Sequence, residues 1–248
     1  MDEINRVIQK LREKQNAAGT YPASSNVDDV CPLCEGRGYT IRRIDGEIFS
    51  RECSCEIKRR NARRIERSGL SPLLESCRFG TYQTPTRWQQ EAKAAALDYL
   101  TDWRGKWFFA GGAVGSGKTH LCAALCGELM NGGVDLRFFQ WRSDSPKIKA
   151  LVHDAMAYED AVNPLKTVRA LYVDDFLKGQ PTEADRNLAF DVLNARYNTP
   201  GIVTILSSEK TIEQILQWDE AIGSRIFEKS KGHYVKITGA DKNWRLRA

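Results

Sequence analysis

The sequence predicts an α/β protein: an N-terminal helix and a small cysteine-bearing module, then a parallel sheet covered by helices on both faces. Three observations predict it. Short apolar runs without alternation are separated by segments of helical patterning. A glycine-rich run sits where one of those strands meets the next helix. Four of the seven cysteines crowd into residues 31–55. The 248 residues are 42% hydrophobic and 28% charged, enough for one full core plus a small appended domain, which excludes a disordered or collagen-like chain. No apolar stretch approaches the roughly 20 residues a bilayer crossing needs, so no membrane association is expected. Lys and Arg outnumber Asp and Glu by 37 to 32, a mildly basic balance that permits a nucleic-acid partner. Met1-Asp2-Glu3 opens no export leader, and the odd, clustered cysteine count suits reduced thiols better than a disulfide framework. A cytoplasmic protein is expected.

Taken in order, Ile4, Val7, Ile8 and Leu11 form the apolar stripe of an amphipathic helix over residues 1–16. Residues 19–26, rich in Gly, Pro and Ser, read as a linker. The pairs Cys31/Cys34 and Cys53/Cys55 bracket two short strands, Tyr39–Arg43 and Ile48–Arg51, around the hairpin signal Asp45-Gly46. A basic helical stretch follows, Ile57–Arg67, on which Arg60, Arg63, Arg64 and Arg67 share a face beside Lys58 and Arg59. It suits phosphates, an acidic protein patch or solvent alike. The domain boundary is placed near residue 75, giving domains 1–75 and 76–248. Beyond it, strands at Lys106–Gly111, Val134–Trp141, Ala170–Phe176 and Ile202–Ser207 alternate with helices. These run over Thr119–Asn131, ended by Gly132-Gly133, over Ile148–Tyr158, over Thr182–Tyr197 with the capping pair Thr182/Asp185, and after Thr211/Gln214.

The run Gly112-Ala113-Val114-Gly115-Ser116-Gly117-Lys118-Thr119 satisfies G-x-x-x-x-G-K-[ST]. The glycines let backbone N–H groups converge on phosphate oxygens, Lys118 reaches the β- and γ-phosphates, and the Thr119 hydroxyl suits Mg²⁺. The helix that follows, with His120 in its first turn, aims its positive end at the anion. Such a site needs a carboxylate at the end of a neighbouring strand, which Leu171-Tyr172-Val173-Asp174-Asp175 supplies. Asp174 is assigned to the Mg²⁺ through water, and Asp175 to orienting or deprotonating the attacking water; a helix cap or a structural ion pair is the alternative for each. ATP and Mg²⁺ are therefore the expected cofactors.

Cys31-Pro-Leu-Cys34, with Gly36 and Gly38 behind it, and Cys53-Ser-Cys55 provide four thiolates for a structural Zn²⁺; free thiols or a redox pair are the alternative. The histidines lie far away in sequence. Cys122 and Cys126 are expected in the core, and Cys77 has no assigned role.

These features occur in one order: the cysteine pairs, Arg67-Ser-Gly-Leu-Ser, the two phosphate-site motifs, Asn194-Ala-Arg-Tyr197 and Gly223-Ser-Arg-Ile226. In that order the chain resembles replicative helicase loaders of the DnaC/DnaI type, including versions carried by phages and prophages. The related IstB transposition ATPases share the AAA+ core. The resemblance implies a P-loop NTPase of the AAA+ class, here without a helical lid, since only 23 residues follow Arg225. It implies a slow, DNA-stimulated ATPase whose N-terminal module grips a hexameric replicative helicase. Its ATPase domains would self-associate side by side and contact single-stranded DNA. Arg225 would then be an arginine finger acting on a neighbour's site, Arg245 a sensor arginine, and Phe79 and Tyr82 part of the adenine pocket. Where relatives carry Thr/Ser-Asn this chain reads Ser207-Ser208-Glu209, leaving Ser208 to hold a water, and its acidic pair is Asp-Asp rather than Asp-Glu. Two other readings stand beside the loader: a DNA-bound transposition ATPase that recruits a transposase, and a nucleotide-binding adaptor without turnover.

Overall fold

The computed structural model describes residues 31–44 and 47–246. The Ile4/Val7/Ile8/Leu11 stripe, the 19–26 linker and the Asp45-Gly46 turn lie outside the described residues. The chain divides into two compact units, residues 1–63 and 64–248. The division falls inside a helix, upstream of the boundary expected near residue 75.

In the first unit, β1 (Tyr39–Ile44) and β2 (Glu47–Glu52) form an antiparallel hairpin in which Tyr39 faces Glu52 and Ile41 faces Ser50. Helix α1 (Ser54–Ser68) follows and crosses the unit boundary. Half of its expected basic stripe is paired: Arg59 with Glu56, Arg60 with Glu52, and Arg64 with Asp135 at 2.8 Å.

The second unit contains α2 (Ser71–Ser76), α3 (Arg87–Tyr99), β3 (Phe108–Gly112), α4 (Lys118–Asn131), β4 (Leu136–Gln140), α5 (Trp141–Lys149) and α6 (Ala155–Thr167). It continues through β5 (Ala170–Asp174), α7 (Glu183–Asn198), β6 (Val203–Ser208), α8 (Ile212–Trp218), α9 (Glu220–Lys229) and β7 (Tyr234–Ile237), ending in two short 3₁₀ turns, Ala240–Lys242 and Trp244–Leu246. All strand pairings are parallel, in the order β4-β5-β6-β3-β7. The three inner strands are buried at every residue, whereas the edge strands β4 and β7 are buried only in part, β7 in strict alternation. This is the pattern of a sheet packed on both faces. Phe108, Ala110, Tyr172 and Ile205 point to the side covered by α2, α3 and α4; Phe109, Leu171, Val173 and Leu206 point to the side covered by α5 to α9.

One expected helix is corrected. Ile148–Tyr158 is not continuous: α5 starts directly after β4, contains Pro146, and ends at Lys149, and α6 starts anew with the Asp154 carboxylate accepting from Ala157 N at 3.0 Å. The apolar spacing of Ile148, Leu151 and Val152 imitates a helical stripe, yet Val152 is exposed on the connecting turn. Helices α2, α3 and α9 and strand β7 are additions to the elements expected. The capping boxes at Thr182/Asp185 and Thr211/Gln214 both form. Among the described residues, no helix is long and apolar enough to cross a membrane.

Candidate nucleotide site and metal centre

Buried β3 delivers the chain to Gly112, and α4 begins at Lys118, so the glycine-rich run spans a strand-to-helix turn at the C-terminal edge of the sheet. Its glycines answer two physical demands. Gly112 has φ +114, and a Cβ there would lie 2.0 Å from the Ile237 carbonyl oxygen. Gly117, the N-cap of α4, has φ +83 with the Tyr82 ring against it. The first turn of α4 carries no acidic residue, so nothing there opposes the positive end of the helix. Ser116 is buried and donates to the Ala113 carbonyl at 2.7 Å, which closes the loop from within. The buried Lys118 ammonium donates to the carbonyls of Gly112 at 2.9 Å and Ala113 at 2.6 Å. Burial pushes its pKa below the usual lysine range, opposed by the charges of Glu209 and Asp175. Val114 is exposed at the loop's tip. A cavity of about 460 Å³ opens over Gly112–Val114, walled by Glu209, Gln214, Thr238 and Asn243.

Asp174 ends β5 and is the hub of the site. Its Oδ1 accepts from Thr119 Oγ1 at 2.9 Å, from the Tyr172 hydroxyl at 2.7 Å and from Ser207 Oγ. A hydroxyl and a carboxylate held this close are the oxygen donors a hard cation such as Mg²⁺ takes, and the loop beside them fits the phosphates of ATP.

Asp175 turns away from the strand with φ +54, and Leu177 follows with φ +56. Each non-glycine residue in this region costs of order 1 kcal/mol or more. The turn is clamped by the end of β6: Phe176 N donates to Ser207 O at 2.8 Å, and Ser208 Oγ donates to Phe176 O at 2.7 Å. It brings Lys178 back onto the site, where the ammonium sits 2.9 Å from Asp175 Oδ2 and 3.0 Å from Glu209 Oε1.

The remaining expected residues fall as follows. Ser208 is fully buried and its hydroxyl is spent on the backbone, donating to Phe176 O and accepting from Lys210 N at 3.1 Å. Ser207, one residue earlier, is the hydroxyl that reaches Asp174. His120 contacts the Arg78 carbonyl at 3.0 Å and Thr81 Oγ1 at 3.2 Å, with its ring edge-on to Tyr82, so its side chain supports the segment preceding α3. Tyr82 is buried with its hydroxyl unpartnered, and Phe79 is half-buried against the same core. Arg225 lies on α9, bonded to Asn194 Oδ1 at 3.2 Å and Ala221 O at 2.7 Å, with its guanidinium over Phe190 and Tyr197. Arg245 is exposed on the final 3₁₀ turn, beside Trp244, whose N donates to the Gly115 carbonyl at 3.0 Å. Cys122 and Cys126 are buried in the core, as expected. Tyr172, Ser207 and Lys178 are site residues that the sequence reading missed. A tyrosine two residues before the strand-end acid was the one visible signal, since period 2 puts both on one face.

In the first unit, Cys31, Cys34, Cys53 and Cys55 bring their Sγ atoms within 4.8 Å of one another, with Cys31–Cys53 at 3.8 Å and Cys34–Cys55 at 3.4 Å. Zn–S bonds of about 2.3 Å in a tetrahedron place sulfurs about 3.8 Å apart, so the four thiols fit a zinc ion. Glu35, Gly36 and Gly38 take positive φ to fold the backbone back toward sulfur. Backbone N–H groups of Leu33 and Cys34 lower the Cys31 pKa, favouring the thiolate a metal requires.

Residues 42–248 match the IstB-like ATP binding protein family. The chain belongs to this family. The similarity to a relative described as Phage-like element PBSX protein XkdC, from Bacillus subtilis strain 168, is 30% identity over 254 residues, covering 96% of this chain and 94% of that one. The Replicative helicase loader DnaC of Escherichia coli K12 is 23% identical, covering 93% of this chain and 91% of that one. A solved structure titled "Crystal structure of the DnaC helicase loader" superposes with a TM-score of 0.55 at 19% identity, over 64% of this chain and 97% of that one. The fold of this IstB-like protein is thus the P-loop AAA+ fold.

Proposed function

We propose that this IstB-like protein is an ATP-controlled loader that holds a hexameric replicative helicase and places it on single-stranded DNA. The observation that carries the reading is the extent of the likeness. It runs over 93% of this chain to a replicative helicase loader, well beyond a shared ATPase core. The cysteine module, holding Zn²⁺, would present the N-terminal unit to the helicase, and neighbouring ATPase domains would associate side by side on the strand. ATP with Mg²⁺ supplies a cleavable phosphoanhydride and a charge-neutralising cation. Around it, the Gly112–Thr119 backbone binds phosphates at the N-terminus of α4, and Lys118 exchanges its two carbonyls for phosphate oxygens. Thr119 and Asp174 would hold the cation. Asp175, once released from Lys178, takes a proton from the attacking water. Arg225, oriented by Asn194 and braced on two aromatic rings, lends charge to the γ-phosphate of a neighbour's site. Arg245 reports on nucleotide from the C-terminal turn beside Gly115. Cytoplasmic replication is the setting this implies.

Co-purification of the full chain with the host's replicative helicase, and ATP turnover stimulated by single strands, test the reading. Lys118→Ala and Asp175→Asn are expected to abolish turnover, and Arg225→Ala to abolish it while sparing nucleotide binding. No helicase complex, together with filaments on duplex DNA, would instead support a transposition ATPase, a reading favoured by the IstB-like family match itself. Nucleotide binding without any turnover would support the adaptor.

A further inference from the structure

Lys178 is the cation that the motifs leave unused. It reaches the site only because the chain takes two left-handed non-glycine conformations in three residues, Asp175 and Leu177, with Leu177 fully buried to hold the turn. An unfavourable backbone maintained by packing and by two clamping bonds to the end of β6 points to a required placement. That placement joins two acids by one ammonium, Asp175 at 2.9 Å and Glu209 at 3.0 Å. Glu209 walls the cavity over Gly112–Val114, and its charge, like that of Asp175, acts on Lys118.

Asp174, Asp175 and Glu209 put three carboxylates at this corner, against the Lys118 ammonium and the charge of the cation that Asp174 would hold, so an ammonium at Lys178 lowers the repulsion a triphosphate would meet. Thr119 and Asp174 would hold the cation, and the adjoining carboxylates of Asp175 and Glu209, whose charges act on the phosphate-loop Lys118, would face the terminal phosphate. Glu209 at that position repels it, and a neutral amide there would not. A second ammonium, passed from the two carboxylates to the phosphate, offsets that repulsion. Such a transfer also frees Asp175 of its ion-pair partner, so one movement would register the terminal phosphate and expose the base.

We propose that Lys178 is the terminal-phosphate-binding residue of this site, parked between Asp175 and Glu209 when the nucleotide is absent and handed to the γ-phosphate when ATP binds. The proposal rests on the ATP-site reading above. Its test is the ratio of affinities for ATP and ADP, measured calorimetrically with Mg²⁺ on the full chain. Wild type is expected to prefer ATP. Lys178→Met should weaken ATP binding about tenfold or more, the scale of a lost charge-assisted hydrogen bond, and leave ADP within about twofold. Lys178→Arg should restore the preference, and Glu209→Gln, which removes a competing acid, should tighten ATP. Equal losses for ATP and ADP in Lys178→Met, or a folded Lys178→Arg that behaves like the methionine variant, would overturn the proposal. A wild-type chain that binds neither nucleotide would instead overturn the site reading beneath it, and this proposal with it.

Discussion

Ser207→Ala removes one oxygen atom and should cost far more than a surface hydroxyl. Ser207 Oγ donates to Asp174 Oδ1 and accepts from Asp175 N at 3.2 Å, in a residue with 1% of its surface exposed. The first bond goes to an ionised group, worth roughly 1.5–3 kcal/mol; the second leaves a backbone N–H without its acceptor, roughly 1 kcal/mol more. The sum, about 2.5–4 kcal/mol, is a large share of the 5–15 kcal/mol that stabilises an ordinary domain. With a urea slope of about 2–3 kcal/mol per molar, the unfolding midpoint should fall by about 1–2 M. Tyr172→Phe is the internal control. It deletes one donor to the same oxygen, the 2.7 Å hydroxyl bond, while the ring keeps its packing, so its loss should be the smaller of the two. Urea titrations followed by fluorescence measure both. A Ser207→Ala loss below about 1 kcal/mol, or one smaller than that of Tyr172→Phe, would refute the view of Asp174 as an organising hub built on neutral hydroxyls.

Further outcomes follow from other parts of the structure. Arg196 is fully buried, and its guanidinium donates to the carbonyls of Leu165, Val168 and Val203 and to Thr204 Oγ1; Arg196→Met strands those acceptors and should lower stability by about 3–5 kcal/mol in the same assay. Metal analysis of the full chain should find one zinc per molecule, lost in Cys34→Ser, while the cooperative melt of the ATPase unit persists. Burial alone would raise the Asp185 carboxyl, but bonds from Lys149 and Thr182 outweigh it and hold it below the usual aspartate range. A depressed acid stabilises above its unfolded value near 4 and loses that contribution as pH falls through the folded value. Asp185→Asn should therefore destabilise at pH 7, and the gap from wild type should narrow below about pH 4; a gap independent of pH between 3 and 7 would count against the ion pair.

What the sequence made legible was whatever is encoded locally. The phosphate loop is contiguous, the cysteine pairs carry their own spacing, and the capping boxes at Thr182 and Thr211 need only three residues each to form. Burial pattern distinguished inner strands from helices because a sheet covered twice needs apolar residues at successive positions. The split between α5 and α6 was missed because Ile148, Leu151 and Val152 repeat at helical spacing while only tertiary context leaves Val152 in solvent. Arg196 was passed over within Asn194-Ala-Arg-Tyr197 because a buried guanidinium bonded to backbone carbonyls has no sequence signature; its acceptors come from residues as far apart as Leu165 and Val203.

The exchange of Ser208 for Ser207 shows how sheet register decides chemistry. Strand β6 lies between β3 and β5, with Ala110 opposite Ser207, Gly111 opposite Ser208, and Val173 opposite Leu206. Successive side chains of a strand leave on opposite faces, so of two adjacent serines only one can look toward α4 and Asp174. Register gives that face to Ser207, the same face as Tyr172 and Thr119, and turns Ser208 toward the 175–178 loop, where its hydroxyl holds the Phe176 carbonyl. Each serine thus fixes one half of the site: Ser207 orients the carboxylate beside Thr119, and Ser208 clamps the strained turn that carries Lys178 to Glu209. A slip of one residue would exchange them and dismantle both halves at once. The two hydroxyls are therefore not interchangeable, although in sequence they are adjacent and identical.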